Sequence, residues 1–563
     1  MMAFFVSLIM LFISISPSVA QANDAKPHLS KGVPIVGVLK DAQNQPVSRA
    51  TVTLYKASKM FARTTSQPNG SFTIPSPAEL DGQLILDFSR RHFQMQKLTL
   101  GQDVLDQLRT GCVVELPEII LKRQVTAGFW VATLIFVLVL VLIATGWLHN
   151  TLASLFGMSL IFAVTYIGSL IHPTLYILNF AEALNYLDWN VIFLIMGMMM
   201  VIAIVENTGI FQWLAFAAYK ISAGRLWLLL PILVIITSVG SAILDNVTTM
   251  LLMTPITVRI ALTLRINPLA FLIPAVMASN VAGVSTLVGT PTNILIGSFA
   301  DISFNDFLIN QTPGVLIAIL CLVIYTEIIY RKDLKKSGKT SPALVEKLAE
   351  TAKITQPGNL KKAGWVGLGM LILFVFGEHI HLVPSVTALM GATALLVWIR
   401  PDIEEMIEAV DWTTLVFFIA LFIVVGSIQE VGLISLIADF VAGLVGDNLI
   451  LAMVVIIWMS ALLSTVIANI PFTAAMLPVI AYLTATIPGA DTKVLYFCLS
   501  VGAAMGGNGS LIGASANMVT AGISERAGYP ITYLYFLKKG MPALFITVGI
   551  STLWLLFRFL VLN

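Results

Sequence analysis

The 563-residue chain is 58% hydrophobic and 11% charged, with a mean hydropathy of +0.91. Soluble globular proteins carry about 45–50% apolar and about 25% charged residues, so the composition excludes a soluble enzyme and a receptor with a single anchor. Its 32 basic and 30 acidic residues leave a formal charge of +2, too balanced to build a nucleic-acid face. Cys112, Cys321 and Cys498 lie far apart and are odd in number, which supports neither a zinc site nor a disulfide framework.

Residues 1–22 contain a short apolar run, and Ala20-Gln21-Ala22 fits the small-x-small pattern of a signal-peptidase site. No Lys or Arg precedes Lys26, so an uncleaved N-terminal anchor fits as well as a cleaved signal peptide. Either one exports the adjoining segment. Over 33–122 the composition turns soluble, with short alternating runs at 35–39, 50–55, 71–74, 83–88 and 113–121. Turn formers separate them at 41–46 and at Pro68-Asn69-Gly70, where Asn-Gly supplies the positive φ of a tight hairpin. The prediction is a small extracytoplasmic all-β sandwich. Gly37, Asp41, Pro46, Ala50, Val52, Asn69, Gly70 and Phe72 form a pattern that resembles the carboxypeptidase-regulatory-like (transthyretin-like) sandwich. That resemblance implies a non-catalytic accessory module, whose partner is unknown.

A first transmembrane span is predicted at 127–149, followed by single spans at 152–170, 191–205, 315–330, 365–376, 385–398, 413–427 and 543–559. Four other stretches behave differently. The stretches 226–264 and 449–488 are too long for one span and carry a polar break at the middle. The stretches 269–300 and 494–523 are interrupted by Gly289-Thr290-Pro291-Thr292-Asn293 and by Gly506-Gly507-Asn508-Gly509-Ser510. Such breaks are tolerated at membrane depth only where they face protein or a watery cavity.

The breaks belong to an internal repeat. Asp188-Trp189 recurs as Asp411-Trp412 at an offset of 223, and Ser241 meets Ser464, Asn246 meets Asn469 and Pro255 meets Pro478 at the same offset. At an offset of 224, Gly289 meets Gly513 and Asn293 meets Asn517. Transport repeat 1 spans 152–330, a basic cytoplasmic loop spans 331–362, and a linker helix with repeat 2 spans 363–561. If 226–264 and 449–488 are re-entrant hairpins, five crossings separate the starts of the repeats, so the repeats are inverted. The basic residues of 331–362 then lie inside, as do Lys220, Arg225, Arg259 and Arg265, in accord with the positive-inside rule. The predicted fold class is a polytopic α-helical membrane protein of two inverted repeats with re-entrant hairpins and broken helices, of elevator type, preceded by the β-sandwich.

Unwound backbone and helix N-termini at these breaks are suited to ions and anions. Candidate binding residues are Asp245, Asn246, Thr248, Gly289, Thr290, Thr292 and Asn293 in repeat 1, and Asn469, Thr473, Gly507, Asn508, Ser510, Ser515 and Asn517 in repeat 2. A Na⁺ site is expected at Asp245, Asn246 and Asn293. Asp245 is the one carboxylate at the centre of a long apolar stretch, where an unpartnered charge is costly. It is read as holding a cation or a proton, or alternatively as capping the hairpin helix. Its repeat-2 counterpart is Ala468. Glu206 and Glu430 close matching helices and are expected to be solvated. Ser337-Gly338-Lys339-Thr340 resembles the end of a phosphate loop, but Asp333 occupies the place of the first glycine and no strand precedes it. An ATPase is thereby excluded. No second intramembrane aspartate at a matching break accompanies Asp245, which argues against a protease.

The segments 241–249 and 289–293 resemble the ion transporter superfamily, nearest to the branch of arsenite permeases, D-type Na⁺/H⁺ antiporters and the P protein, with citrate and dicarboxylate carriers more distant. The resemblance covers about 180–560 and implies an elevator carrier, often a homodimer, whose hairpin tips and broken helices enclose substrate and coupling ion. No acidic residue follows Gly289, where relatives often read G-D-P-P-N. The leading expectation is a secondary active transporter of the inner (plasma) membrane performing cation/proton (Na⁺/H⁺) antiport, not an enzyme, without cofactor and with H⁺ or Na⁺ as coupling ion. Na⁺- or H⁺-coupled transport of a small anion is the alternative, and a membrane sensor using the sandwich is an alternative of another class. The expected partners are a small ion or small anionic substrate and membrane lipid, and no nucleic acid.

Overall fold

The computed structural model describes residues 32–335 and 353–562, apart from 42–45, 58, 78–79, 81–82 and 223–224. The predicted signal or anchor, part of the turn at 41–46 and most of the basic loop lie outside the described residues. The chain divides into two compact units, Met1–Gln124 and Val125–Asn563.

The first unit contains β1 (Pro34–Asp41), β2 (Thr51–Lys56), β3 (Lys59–Thr65), β4 (Ser71–Pro75), β5 (Leu84–Ser89), β6 (Gln96–Thr99), a helix α1 (Gln102–Arg109), β7 (Val114–Glu115) and β8 (Ile119–Leu121). One sheet pairs β1 with β4 antiparallel and with β7 and β8 parallel, and the other runs β3-β2-β5-β6. Ile35, Leu39, Val52, Leu54, Phe72, Leu86 and Phe88 form their common core, as the period-2 alternation requires. Gly70 sits at φ +77°, the conformation that Asn69-Gly70 predicts. The strands depart from the sequence pattern in three places. The run 113–121 splits in two around Pro117, which has no N–H to give the ladder. Strand β3 is an edge strand with no buried residue, and its half-buried positions, Ala62 and Thr64, carry no large apolar side chain, so its alternation is not legible in the sequence. Strand β6 and helix α1 were likewise unforeseen.

The second unit is helical throughout. Its first half comprises α2 (Ala127–Thr145), α3 (Asn150–Ala163, prolonged by a π-turn at Val164–Gly168), α4 (Trp189–Glu206), α5 (Ile210–Ile221), α6 (Leu226–Ile243), α7 (Asn246–Thr263), α8 (Leu269–Ala282), α9 (Pro291–Ala300) and α10 (Phe304–Leu334). Its second half comprises α11 (Pro357–Phe376), α12 (Pro384–Ile399), α13 (Trp412–Val431), α14 (Leu433–Val445), α15 (Leu449–Ser464), α16 (Asn469–Thr486), α17 (Val494–Gly506), α18 (Ser515–Arg526) and α19 (Tyr533–Leu560). Among the described residues, nine helices are long and apolar enough to cross a membrane, which makes the chain a polytopic membrane protein. Helices α5 and α14 escape a search for 20-residue apolar spans because they are short. Each is preceded by a glycine with positive φ, Gly209 and Gly432, again 223 residues apart.

Two packed bodies share this unit. Helix α4 packs on α12 and α13 packs on α3, while α15 packs on α17, α6 on α8, α10 on α19 and α7 on α18. The first body is closely fitted: a Cβ on Gly197 of α4 would stand 2.9 Å from the Ala388 carbonyl carbon of α12.

Candidate functional site

Both long apolar stretches reverse at their polar midpoints. Helix α6 stops at Ile243 and α7 opens at Asn246 with Asp245 as its N-cap. The Asp245 Oδ1 accepts from the Val247 and Thr248 N–H groups at 2.9 Å each, and Oδ2 accepts from Thr248 Oγ1 at 2.5 Å. The carboxylate thus satisfies the first turn of its own helix, the capping role that its position allows. In repeat 2 the corresponding cap position is Ala468, which has no side-chain acceptor to offer α16.

Helix α8 unwinds through a short 3₁₀ turn at Gly283–Ser285, and α17 does the same at Gly507–Gly509. A run of bends comes next in each, over 286–290 and 510–513, until α9 begins at Pro291 and α18 at Ser515. Unwinding frees carbonyls that a buried chain must satisfy. The same side chains do this in both repeats. Asn293 Nδ2 donates to the carbonyls of Gly283, Val284 and Thr286 at 3.3, 3.0 and 2.8 Å. Asn517 Nδ2 donates to those of Gly507 and Ser510 at 2.7 and 2.9 Å. The hairpins are fastened to these loops in parallel fashion. Ser241 Oγ donates to the Ser279 carbonyl at 2.8 Å and Ser464 Oγ to the Ala503 carbonyl at 2.7 Å. Thr286 Oγ1 donates to the Ala242 carbonyl at 2.5 Å, and Ser510 Oγ donates to the Thr465 carbonyl. A Cβ on Gly289 would stand 2.5 Å from the Gly283 oxygen and 2.8 Å from the Ser241 oxygen, so only glycine permits this crossing. Gly513 repeats it, with 3.0 Å to the Gly507 oxygen and 2.9 Å to the Ser464 oxygen.

The two half-sites meet in a buried amide network. Asn246 Nδ2 donates to Asn280 Oδ1 at 2.9 Å, and Asn280 Nδ2 donates to Asn508 Oδ1 and Asn517 Oδ1 at 3.0 Å each. Asn508 Nδ2 reaches the Met277 carbonyl at 3.2 Å. On the other side, Ser500 Oγ donates to Asn293 Oδ1 at 2.5 Å and approaches Gln311 Oε1 at 3.2 Å. All these residues are buried. The Asn246 Oδ1 is buried as well and has no hydrogen-bond partner.

Of the residues predicted from sequence, Asn246, Asn293, Asn508 and Asn517 belong to this network. The Thr290 and Thr292 hydroxyls lie 3.1 Å apart at the start of α9. Asn469 is buried at the start of α16 and Ser515 is half-buried at the start of α18. Thr473 Oγ1 bonds back to the Asn469 carbonyl at 2.7 Å, within its own helix. Glu430 departs from expectation: it is half-buried and accepts from the Tyr186 hydroxyl at 2.5 Å, because the Tyr186 ring packs on Gly426 one turn earlier. Ser279, Asn280, Ser500 and Gln311 were not foreseen. The one signal for Asn280 is an asparagine within a wholly buried apolar helix, but its repeat-2 counterpart is Ala504, so comparison of the repeats conceals it.

A cavity of about 580 Å³ lies beside the centre, between α4 and α13 of one body and α9 and α16 of the other. Its walls include Asn190, Ser298, Gln429, Leu295 and Ala474, the last two within one turn of Asn293 and Thr473. Among the described residues no group of three His, Cys, Asp or Glu side chains is placed to hold a metal ion. The oxygen donors present are carbonyls, amides and hydroxyls, which match hard cations.

Comparison with known proteins agrees with this architecture. Residues 140–502 match the family described as citrate transporter. An uncharacterised transporter of Mycobacterium tuberculosis is 35% identical over 433 residues, covering 77% of this chain and 99% of its own. The 46 kDa membrane protein of Mycobacterium leprae is 35% identical over 439 residues, with the same coverage of 77% and 99%. The P protein of Homo sapiens is 30% identical over 514 residues, covering 77% of this chain and 60% of its own. The sequence motifs put the P protein near and citrate carriers farther off, and the family match brings the citrate carriers to the front. A polytopic helical chain with two matched hairpins, two matched broken helices and these relatives is a transporter, and it belongs to the citrate transporter family.

Proposed function

We propose that the chain is a secondary carrier for a small carboxylate anion, coupled to Na⁺ or H⁺. The observation that carries this reading is the state of the helix ends. Helices α7, α9, α16 and α18 all start at the two half-sites, and α9, α16 and α18 have no side-chain cap. Each leaves orphan N–H groups and a positive dipole end, which together favour an anion. The carbonyls over 283–286 and 507–510 keep a second lone pair beyond the bond from Asn293 or Asn517, and with the unpartnered Asn246 oxygen they would supply ligands to the coupling cation. The citrate transporter description of the family supports a carboxylate as the anion. In this reading the hairpin body slides past the α3–α4–α12–α13 body, and the cavity between them is the entrance from the extracytoplasmic side.

The test is uptake of labelled citrate and succinate into proteoliposomes under an imposed Na⁺ or H⁺ gradient. Gradient-driven accumulation that Asn293→Ala and Asn517→Ala abolish supports the reading. No accumulation of either anion by the native chain, with a working control carrier alongside, overturns it.

Cation/proton antiport is the second reading, favoured by Asp245 at one hairpin tip. Its carboxylate is engaged as a helix cap, which makes it the weaker of the two. Collapse of a pH gradient by Na⁺, Li⁺ or K⁺ in everted vesicles, lost in Asp245→Asn, would favour it over anion uptake.

A further inference from the structure

We infer that Asn280 is the positioning residue that joins the two half-sites into one binding unit. The inference rests on the carrier reading above.

Asn280 lies in the last turn of α8, where repeat 1 begins to unwind, and it is 1% exposed. Its one side-chain amide touches three asparagines. The oxygen receives the Asn246 amide from the repeat-1 hairpin tip at 2.9 Å. The two N–H groups go to Asn508 and Asn517 of repeat 2 at 3.0 Å each. An amide has two donors, and both are directed across the boundary between repeats while the acceptor holds the repeat-1 tip. Asn517 in turn fastens the Gly507 and Ser510 carbonyls, the unwound loop of repeat 2. A continuous chain of bonds therefore runs from the first hairpin to the second broken helix, through one residue.

The duplicated framework does not supply this link twice. The position equivalent to Asn280 is Ala504, and the position equivalent to Asn508 is Val284. The Asn293 side of the centre is instead tied across by Ser500, whose repeat-1 equivalent is Val276. Each cross-repeat tie thus departs from the symmetry that most of the loop-fastening bonds obey. A residue kept only to satisfy its own loop would bond locally, as Asn293 and Asn517 do through their amide nitrogens. Asn280 bonds across the boundary, so its chemistry is coupling: order imposed on one half-site is transmitted to the other. Buried polar networks of this kind are worth more than their separate bonds, and a coupling of this sort typically changes affinity about 5–150-fold.

The experiment uses the full chain in proteoliposomes, with labelled citrate as probe and a Na⁺ or H⁺ gradient. Asn280→Ala is expected to raise the half-saturating citrate concentration about tenfold and to lower the Hill coefficient for the coupling ion toward one. The maximal rate per inserted molecule should stay within about twofold, the pattern of lost uniform binding. Asn280→Asp keeps the acceptor for Asn246 but loses both donors, so it should behave as the alanine variant does. Unchanged half-saturation and Hill coefficient in both variants would overturn the inference, as would a fall in maximal rate alone, which a merely structural residue produces.

A second measurement decides the matter when the native chain does not move citrate, an outcome that counts against the carrier reading and not against the link. Thermal unfolding in detergent is compared for Asn246→Ala, Asn517→Ala and their double variant, with and without Asn280→Ala. Asn246 and Asn517 meet through Asn280, so their effects should be non-additive with Asn280 present and additive without it. Additivity in the native background refutes the link.

Discussion

Asn293 and Asn517 do equivalent work at equivalent positions, and their replacement gives the most direct residue-scale test. Alanine at either position leaves buried carbonyls without a donor, at about 1–3 kcal/mol for each group stranded. Asn293 serves three carbonyls and Asn517 two, so Asn293→Ala should lower the midpoint of thermal unfolding more than Asn517→Ala. Equal shifts would show that the three-way contact is not energetically used. Asp245 allows a finer separation, because asparagine caps a helix about as well as aspartate whereas alanine costs about 1 kcal/mol. Asp245→Asn should therefore unfold at the native temperature and Asp245→Ala below it. Any change in ion coupling specific to the Asn variant then reports the charge and not the cap. These asparagines were legible in the sequence because each sits in an apolar run next to a helix breaker and recurs at a fixed offset. Asn280 was not, because at that offset the repeat offers alanine.

At the scale of elements, the broken helices depend on glycine pairs that let two chain segments cross. The approach is closer in repeat 1, where a Cβ on Gly289 would meet the Gly283 oxygen at 2.5 Å, than in repeat 2, where Gly513 has 3.0 Å. Gly289→Ala should destabilise by about 1–3 kcal/mol, as overpacking does, and Gly513→Ala by less. The ratio of folded to aggregated protein after size-exclusion chromatography would check the order. The hairpins and broken helices could be read from sequence because length and breaks alone define them. Helices α5 and α14 could not, since at 12 and 13 residues they are too short to register as spans. The β-strands with buried alternation were likewise visible, while β3 was not, because its half-buried face presents only Ala62 and Thr64 and no large apolar side chain.

For the whole molecule, the orientation expected from the basic loops would put Asn185–Asn190 and the end of α9 on the extracytoplasmic side, and with them the mouth of the cavity that they line. Ser298→Cys, made with the exposed Cys112 changed to serine, should react with a membrane-impermeant maleimide added from outside. Reaction only from the cytoplasmic side would reverse the assignment. In the proposed carrier reading, removing 32–120 should leave transport largely intact, since that unit has a core of its own and supplies no residue to the amide network. Loss of uptake in a correctly inserted variant would instead favour the sensor reading. The two hairpin tips have one further consequence. One is capped by an aspartate and the other starts on alanine, a difference of about 1 kcal/mol in helix capping; in the carrier reading proposed above the tips are the two doors, and that difference sets them apart. A substrate arriving from either face meets a different threshold, and the half-saturating concentrations on the two sides should differ about fivefold. Compensating maximal rates would keep the overall equilibrium untouched, so the membrane would have a preferred working direction in kinetics and none in thermodynamics.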